Sequence, residues 1–376
     1  MKSYAMAIYP YSPEFDPVLH YSHLLQPQYT IKALISPNGW GYIGNKFTIT
    51  YSDKSETLNV VASFDEIDEN INCIFIPDFK SIEKFEKVVL DNIKSFLPHL
   101  EKVIYCAHFN EENLKNLKIL CQKIELEIPS EKRESYNYGI EIPKNYDNHI
   151  EEFTVPIIVI AGLWENLDKF YTSLCLRDKF LKSGYSISQV GSRDYCEMMG
   201  FHSFPSFMLN HNIDAEQKII LFNLYIKKII EIENPDIVII TIPGAIQSFN
   251  AKYTNRFGIL PFLTFKALTV DYLIMCTFCD IKNEEFLNII STSCVYKFDC
   301  SVDCFHLANM FIDLSDTTEK NKIISTIIPR IEITRTIIDN YTNCQNLIVN
   351  VYDETGKEKL FNNIITKLTN DYDVVN

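Results

Sequence analysis

Phe153 to Arg193 reads FTVPIIVIAGLWENLDKFYTSLCLRDKFLKSGYSISQVGSR, and this stretch decides the fold. Val155 to Ala161 is an unbroken apolar run, the pattern of a strand covered on both faces. Gly162 ends it. From Asp168 the apolar spacing turns helical, with Phe170, Leu174, Leu176, Phe180 and Leu181 close to one face. Gly184 stops that helix as a residue beyond a C-cap does. Tyr185 to Val190 is a second strand, ending in Gly191-Ser192-Arg193. Strand, glycine-containing turn, helix and strand make a βαβ unit of a parallel sheet. Ligands in such sheets lie beyond the carboxyl ends of the strands. The two segments expected there are 162–169 and 191–193.

The first of these occupies the place of a phosphate-binding loop, whose pattern is Gly, four residues, Gly-Lys-Ser/Thr. This chain has Gly162-Leu-Trp-Glu-Asn-Leu-Asp168-Lys169-Phe170. The lysine comes one residue late, the second glycine is absent, and Phe170 replaces the hydroxyl that would hold magnesium. Asp168 opposes an anion placed against it. The segment therefore reads either as a divergent anion-binding loop or as an ordinary strand-to-helix turn. Asp236 to Ile242 is a further buried strand and ends in Pro243-Gly244 without the acid that positions magnesium in phosphate-binding loop proteins. The backbone of Pro243 and Gly244 can approach a ligand closely. Arg193 and the pair Asn255-Arg256 follow strand ends, and arginine suits bidentate contact with carboxylate or phosphate. The candidate ligand-binding set is thus Gly162, Asp168, Lys169, Gly191, Ser192, Arg193, Pro243, Gly244, Asn255 and Arg256. No catalytic residue is assigned.

Outside this stretch the chain repeats the alternation of strands and helices. Strands are expected at 4–9, 29–35, 45–51, 73–77 and 103–107. Helices are expected at 81–97 and 110–126. Gly39-Trp40-Gly41-Tyr42-Ile43-Gly44 matches Gly-x-Gly-x-x-Gly, but a dinucleotide fingerprint must open a helix, and the residues after it alternate like a strand. It reads as a glycine-rich turn. Residues 129–152 are polar and Pro-punctuated, the composition of a linker. The expected organisation is a Rossmann-like or flavodoxin-like α/β domain over 1–128, a linker over 129–152, and a degenerate P-loop-like α/β domain over 153–376. Each domain is expected to be a mainly parallel sheet flanked by helices. In the second, a helix is expected over 215–233, a Pro-interrupted one over 257–267, a strand over 270–276, a helix over 284–290, and a closing strand and helix at 347–351 and 357–368.

Bulk composition narrows the function. The 376 residues carry 35 basic and 49 acidic side chains, a net charge of −14. That balance argues against nucleic acid or an anionic membrane as the main partner. The N-terminus lacks the long apolar region of a signal peptide. A cytoplasmic location is expected, with the eleven cysteines reduced. Cys276-Thr-Phe-Cys279 is a C-x-x-C followed by Cys294, Cys300 and Cys304, which leaves a cysteine-based metal site as a weaker reading. Against it, Cys276 lies in an apolar strand, where positions three apart face opposite ways.

Residues 162–170 (GLWENLDKF), 183–208 (SGYSISQVGSRDYCEMMGFHSFPSFM), 233–260 (ENPDIVIITIPGAIQSFNAKYTNRFGIL) and 35–46 (ISPNGWGYIGNK) together resemble the clostridial peptide maturation system proteins. That family accompanies bacteriocin-like precursor peptides and radical-SAM enzymes. The resemblance implies an accessory role in maturing a ribosomally made, modified peptide, with the precursor peptide or a radical-SAM modifying enzyme as partner. More distantly, the second domain looks like the dethiobiotin-synthetase and nitrogenase-iron-protein class of P-loop proteins. That implies a nucleotide as the ligand, and as the alternative function a nucleotide-dependent enzyme that activates or transfers a group.

Overall fold

The computed structural model describes residues 2–51, 54–67, 70–79, 83–133, 150–165, 167–279, 284–312, 325–341 and 346–373. The chain divides into two compact units, 1–136 with 194–203, and 137–193 with 204–376. Most of the linker expected at 129–152, from 134 to 149, lies outside the described residues, as do the first two residues of the helix expected over 81–97.

The first unit runs β1 (Tyr4–Ile8), α1 (Asp16–His20), β2 (Tyr29–Ile35), β3 (Lys46–Tyr51), β4 (Lys54–Val61), β5 (Cys73–Ile76), α2 (Glu83–Phe96), β6 (Lys102–Tyr105), α3 (Glu111–Leu120), β7 (Glu125–Glu127) and α4 (Pro129–Arg133). Its sheet has the order β3-β4-β2-β1-β5-β6-β7. Only β3 and β4 pair antiparallel. With β3 set aside, the parallel strands numbered along the chain lie 3-2-1-4-5-6, the Rossmann order. Ile74, Ile76, Val89, Ile93, Val103 and Leu117 from β5, α2, β6 and α3 share one buried cluster.

Two expectations change here. Strand β4 has no counterpart among the expected strands, because its Lys-Ser-Glu-Thr start is polar. The helix expected over 110–126 stops at Leu120. Asn110 caps it by accepting the Asn113 N–H at 2.8 Å, but residues 125–127 pair with β6 instead, Leu126 beside Val103. The glycine motif lies between β2 and β3, with φ of 88°, 82° and 88° at Gly39, Gly41 and Gly44. Those left-handed angles require glycine, and Trp40 packs on Phe85 at 4.9 Å between ring centroids.

Residues 194–203, assigned from sequence to the second domain, group with the first unit. The cause is aromatic packing and one backbone bond. Tyr195 meets Phe75 at 5.3 Å and Phe15 at 5.9 Å, and the Gln26 N–H donates to the Met198 carbonyl at 2.7 Å. The segment ends in the short β10 (His202–Ser203).

The second unit runs β8 (Ile157–Gly162), α5 (Lys169–Lys182), β9 (Ile187–Gly191), α6 (Ala215–Glu233), β11 (Ile237–Thr241), α7 (Ile259–Lys266), β12 (Tyr272–Thr277), α8 (Glu284–Phe298) and β13 (Cys304–Leu307). The hairpin β14 (Met310–Ile312) and β15 (Ser325–Ile327) follows, then α9 (Arg330–Asn340), β16 (Leu347–Val349) and α10 (Glu354–Asp373). Within this unit the order is β9-β11-β8-β12-β13-β16, all parallel. The two mainly parallel sheets, flanked by helices, confirm the expected α/β class. Every residue of β8, β11 and β12 is buried, as their unbroken apolar runs require. Pro261 does not interrupt α7, because it lies in the first turn, where its missing N–H has no intrahelical acceptor to lose. Helix α8 runs on to Phe298, eight residues past the expected end.

Phe180 is fully buried on α5 and meets Phe361 of α10 at 5.0 Å and Tyr185 at 5.6 Å. Phe180→Ala should cost about 3–5 kcal/mol. The expected result in urea unfolding is a lower midpoint for the second unit with an unchanged slope.

Candidate functional site

In the second sheet β8 has β11 on one side and β12 on the other, and the chain crosses over it between those two strands. This is the switch point of the sheet, where a crevice opens beyond the carboxyl ends. Three strand ends are tied there by backbone bonds. The Leu163 N–H donates to the Cys276 carbonyl at 2.9 Å, and the Ile246 N–H donates to the Gly162 carbonyl at 3.0 Å. Trp164 closes edge-on against Phe249 at 4.4 Å. The loops after β8 and β11 are thereby held together.

Lys169 is the first residue of α5, the position a P-loop lysine takes after its glycine. Its side chain folds back over Gly162 and its Nζ donates to the carbonyl of Gly244. A Cβ at Gly162 would lie 2.7 Å from the Trp164 carbonyl oxygen and 2.9 Å from Lys169 Cδ. A side chain there would displace the lysine, so this glycine is a matter of space. Lys169 is 7% exposed. Burial pushes its pKa down to about 8, with Arg193 lowering it further and the Cys276 and Glu165 side chains opposing. The sequence suggests a lysine on a flexible, solvated stem; the structure instead buries it.

Asp168 stands before the lysine, where the pattern has its second glycine, and takes a left-handed backbone, φ 58° and ψ 15°. Asp is one of the few residues that tolerate this region. Its carboxylate does not cap α5. Oδ1 accepts the hydroxyl of Tyr352 at 3.2 Å, and Oδ2 lies 3.7 Å from His306 Nε2. Tyr352 follows β16 and stacks on Tyr171 of α5 at 4.0 Å. His306, in β13, is wholly buried. Its Nδ1 accepts the Val351 N–H at 3.3 Å. That bond leaves the ring hydrogen on Nε2, which is too far from Asp168 for a hydrogen bond. The N–H has no hydrogen-bond partner, and neither do the buried hydroxyls of Thr241 and Thr277, the last residues of β11 and β12. Orphaned buried polar atoms are rare and call for an explanation. Two of them, Thr241 and Thr277, end β11 and β12, and His306 is the penultimate residue of β13.

Of the sequence-predicted residues, Gly162, Asp168, Lys169 and Gly244 come together, with Arg193 near enough to act on Lys169. Pro243 and Gly244 leave β11, with Gly244 at φ 79°. Gly191 ends β9, and Ser192 follows it, half-buried. Asn255 instead braces its own loop, donating from Nδ2 to the Gln247 carbonyl at 3.0 Å. Arg256 is exposed on a run of left-handed residues, 255–258, and no described interaction joins it to Lys169. Sequence reasoning missed His306 and Tyr352. His306 is embedded in the apolar run Cys-Phe-His-Leu of a strand absent from the expected set, and Tyr352 in a turn. Cys276 and Cys279 are both buried, and neither is in a disulfide. Burial pushes Cys276 up to about 12. Among the described residues no three His, Cys, Asp or Glu side chains are grouped to hold a metal ion.

No known family matches the chain by sequence, and no curated protein does. Among solved structures, a DUF1611 family protein from Anabaena variabilis is similar in fold, with a TM-score of 0.59 at 12% identity over 97% of this chain and 100% of its own. The apo McdA of Cyanthece aligns with a TM-score of 0.31 at 12% identity, over 56% of this chain and 90% of its own. Among the described residues no helix is long and apolar enough to cross a membrane.

The lowered pKa of Lys169 makes a signed prediction. Between about pH 8 and 10.5 the unfolded chain holds this proton and the folded one does not. Stability therefore rises with pH across that window, by roughly 1.4 kcal/mol per pH unit at most. Below pH 8 the burial penalty is present in full. Lys169→Met should remove that rise, measured as the difference in urea midpoints between wild type and variant from pH 7 to 10.5.

Proposed function

We propose that the second unit binds an anionic ligand at the head of α5, and that the protein serves as an accessory in maturing a ribosomally made peptide. The observation that carries the binding role is the buried ammonium of Lys169 at the end of β8. It has three donors and gives one to Gly244, which leaves two for a ligand. The first N–H groups of α5 lack intrahelical acceptors, and the helix adds about half a positive charge at that end. The orphaned polar atoms of Thr241, Thr277 and His306 support a site at the same edge. The peptide role rests on the family resemblance of residues 35–46, 162–170, 183–208 and 233–260. It makes the precursor peptide or a radical-SAM modifying enzyme the partner, in the cytoplasm.

A second reading, a nucleotide-dependent enzyme with a divergent P-loop, is favoured by one observation. A carboxylate, an imidazole and a phenol lie close together, the carboxylate belonging to the residue before Lys169, and these are groups that move protons. Phe170 is buried and offers no hydroxyl to magnesium. Any nucleotide would have to be held without that contact.

A thermal-shift screen of inorganic phosphate, pyrophosphate, ADP and ATP, with and without magnesium, tests the binding role. A ligand at 100 times its Kd should stabilise the protein by about 2.7 kcal/mol, a rise of several degrees for a unit of this size. Lys169→Ala should lose the shift. No shift with any of these anions in the wild type removes the proposal.

A further inference from the structure

Between Asp236 and Asp271 the chain carries no acidic residue. With 49 acids in 376 residues the average is one about every eight positions, so the interval omits several. Its only charges are Lys252, Arg256 and Lys266. The same interval holds Phe257, Ile259 and Phe262, which are 68%, 55% and 42% exposed. Ile259 and Phe262 lie three apart on α7, and Phe262 and Lys266 four apart, so these three share one side of the helix. Lys266 Nζ lies 5.7 Å from the centroid of the Phe262 ring and pairs with Asp299. The side chains of Lys252 and Arg256 have no ion-pair partner among the described residues.

The loop leading into α7 is held in one shape. Ser248 Oγ donates to the Thr254 carbonyl at 3.0 Å, and Asn255 Nδ2 to the Gln247 carbonyl at 3.0 Å. A Cβ at Gly258 would lie 2.2 Å from the Ile246 carbonyl oxygen, so the end of the loop sits directly on its beginning. Phe257 is therefore presented to solvent from a braced backbone, which lowers the ordering cost of covering it. Neighbouring exposed apolar side chains mark interaction surfaces, and aromatic residues and arginine carry much of the affinity at such surfaces.

The charge names the occupant. We infer that α7 and the loop before it dock an acidic peptide segment bearing aromatic or aliphatic side chains. Its carboxylates meet Lys252 and Arg256, the latter able to hold one with two parallel bonds, and its apolar side chains cover Phe257, Ile259 and Phe262. This inference rests on the peptide-partner reading above and gives it a surface; it does not depend on the anion site. A second copy placed across a two-fold axis through this face would set Lys252 and Arg256 against their own counterparts. An anionic membrane would meet a chain whose net charge is −14.

The test pans a library of random phage-displayed peptides against the full chain and titrates the enriched peptides, labelled with fluorescein, by anisotropy. Enriched sequences should be net acidic with aromatic or aliphatic residues between the acids, and their affinity should fall as salt is raised. Phe257→Ser and Arg256→Glu should each weaken them by about tenfold or more. Both residues are exposed, and the thermal melts of these variants should match the wild type. Lys169→Ala should bind the peptides as the wild type does. Enriched peptides without an acidic excess overturn the inference. Acidic peptides that bind Phe257→Ser and Arg256→Glu as tightly as wild type overturn this surface and leave a peptide partner standing. No enriched peptide overturns both. Sedimentation that shows a dimer dissolved by Phe257→Ser, or cosedimentation with phosphatidylglycerol vesicles lost in the same variant, gives the face to a second copy or to a membrane and overturns the inference.

Discussion

A buried ammonium is the constraint on which the second unit depends. Removing a charged amine from water is expensive unless polar groups replace the water. Lys169 has one direct acceptor among the described residues, the carbonyl of Gly244, and that carbonyl comes from a different strand end. The bond therefore joins the loop after β11 to the head of α5. It can form only because Gly162 has no Cβ, so that the lysine's methylenes lie directly on the end of β8. The β11 loop must then turn so that the Gly244 carbonyl points inward, which it does at a left-handed glycine. One charge sets the shape of three strand ends.

The sheet order explains why this happens at β8. At a switch point neighbouring loops leave in different directions. Elsewhere in the unit apolar residues cover the sheet. Here the Leu163 and Ile246 N–H groups are spent on the carbonyls of Cys276 and Gly162, and Trp164 packs on Phe249. Those contacts tie the loops to one another. They do not satisfy the Thr241, Thr277 and His306 atoms left at the strand ends.

The strands were legible where burial on both faces writes an unbroken apolar run, as in 157–162, 237–241 and 272–277. Long helices with clean caps were legible too. Helix α6 spans 215–233 as read, and the Asp214 carboxylate accepts the Gln217 N–H at its start. Short edge strands were not legible. Glu125–Glu127 carries two acids, held in place by Lys102 of the neighbouring strand, and that pairing has no local signature. The βαβ unit and the lysine placed half of the candidate site. The other half, His306 and Tyr352, comes from β13 and the turn after β16, far along the chain. No spacing rule links position 168 to positions 306 and 352; the sheet order does. Residues 194–203 show the same limit, since only tertiary packing of Tyr195 assigns them to the first unit.

The departures from the P-loop pattern are coupled to one another. A P-loop places glycine before its lysine for backbone freedom; here Asp168 stands in that place with a left-handed backbone and adds a carboxylate. The following hydroxyl is replaced by Phe170, which is buried and contributes to packing. A hydroxyl is nevertheless present on the same helix, at Thr172, but it donates to the Asp168 carbonyl at 3.0 Å and faces the Cys276 thiol. It is therefore occupied in holding the helix head. The loop keeps a lysine at the head of the helix and lacks the hydroxyl that the pattern places after it. What it gains is an acceptor, fixed by Tyr352 and faced by His306.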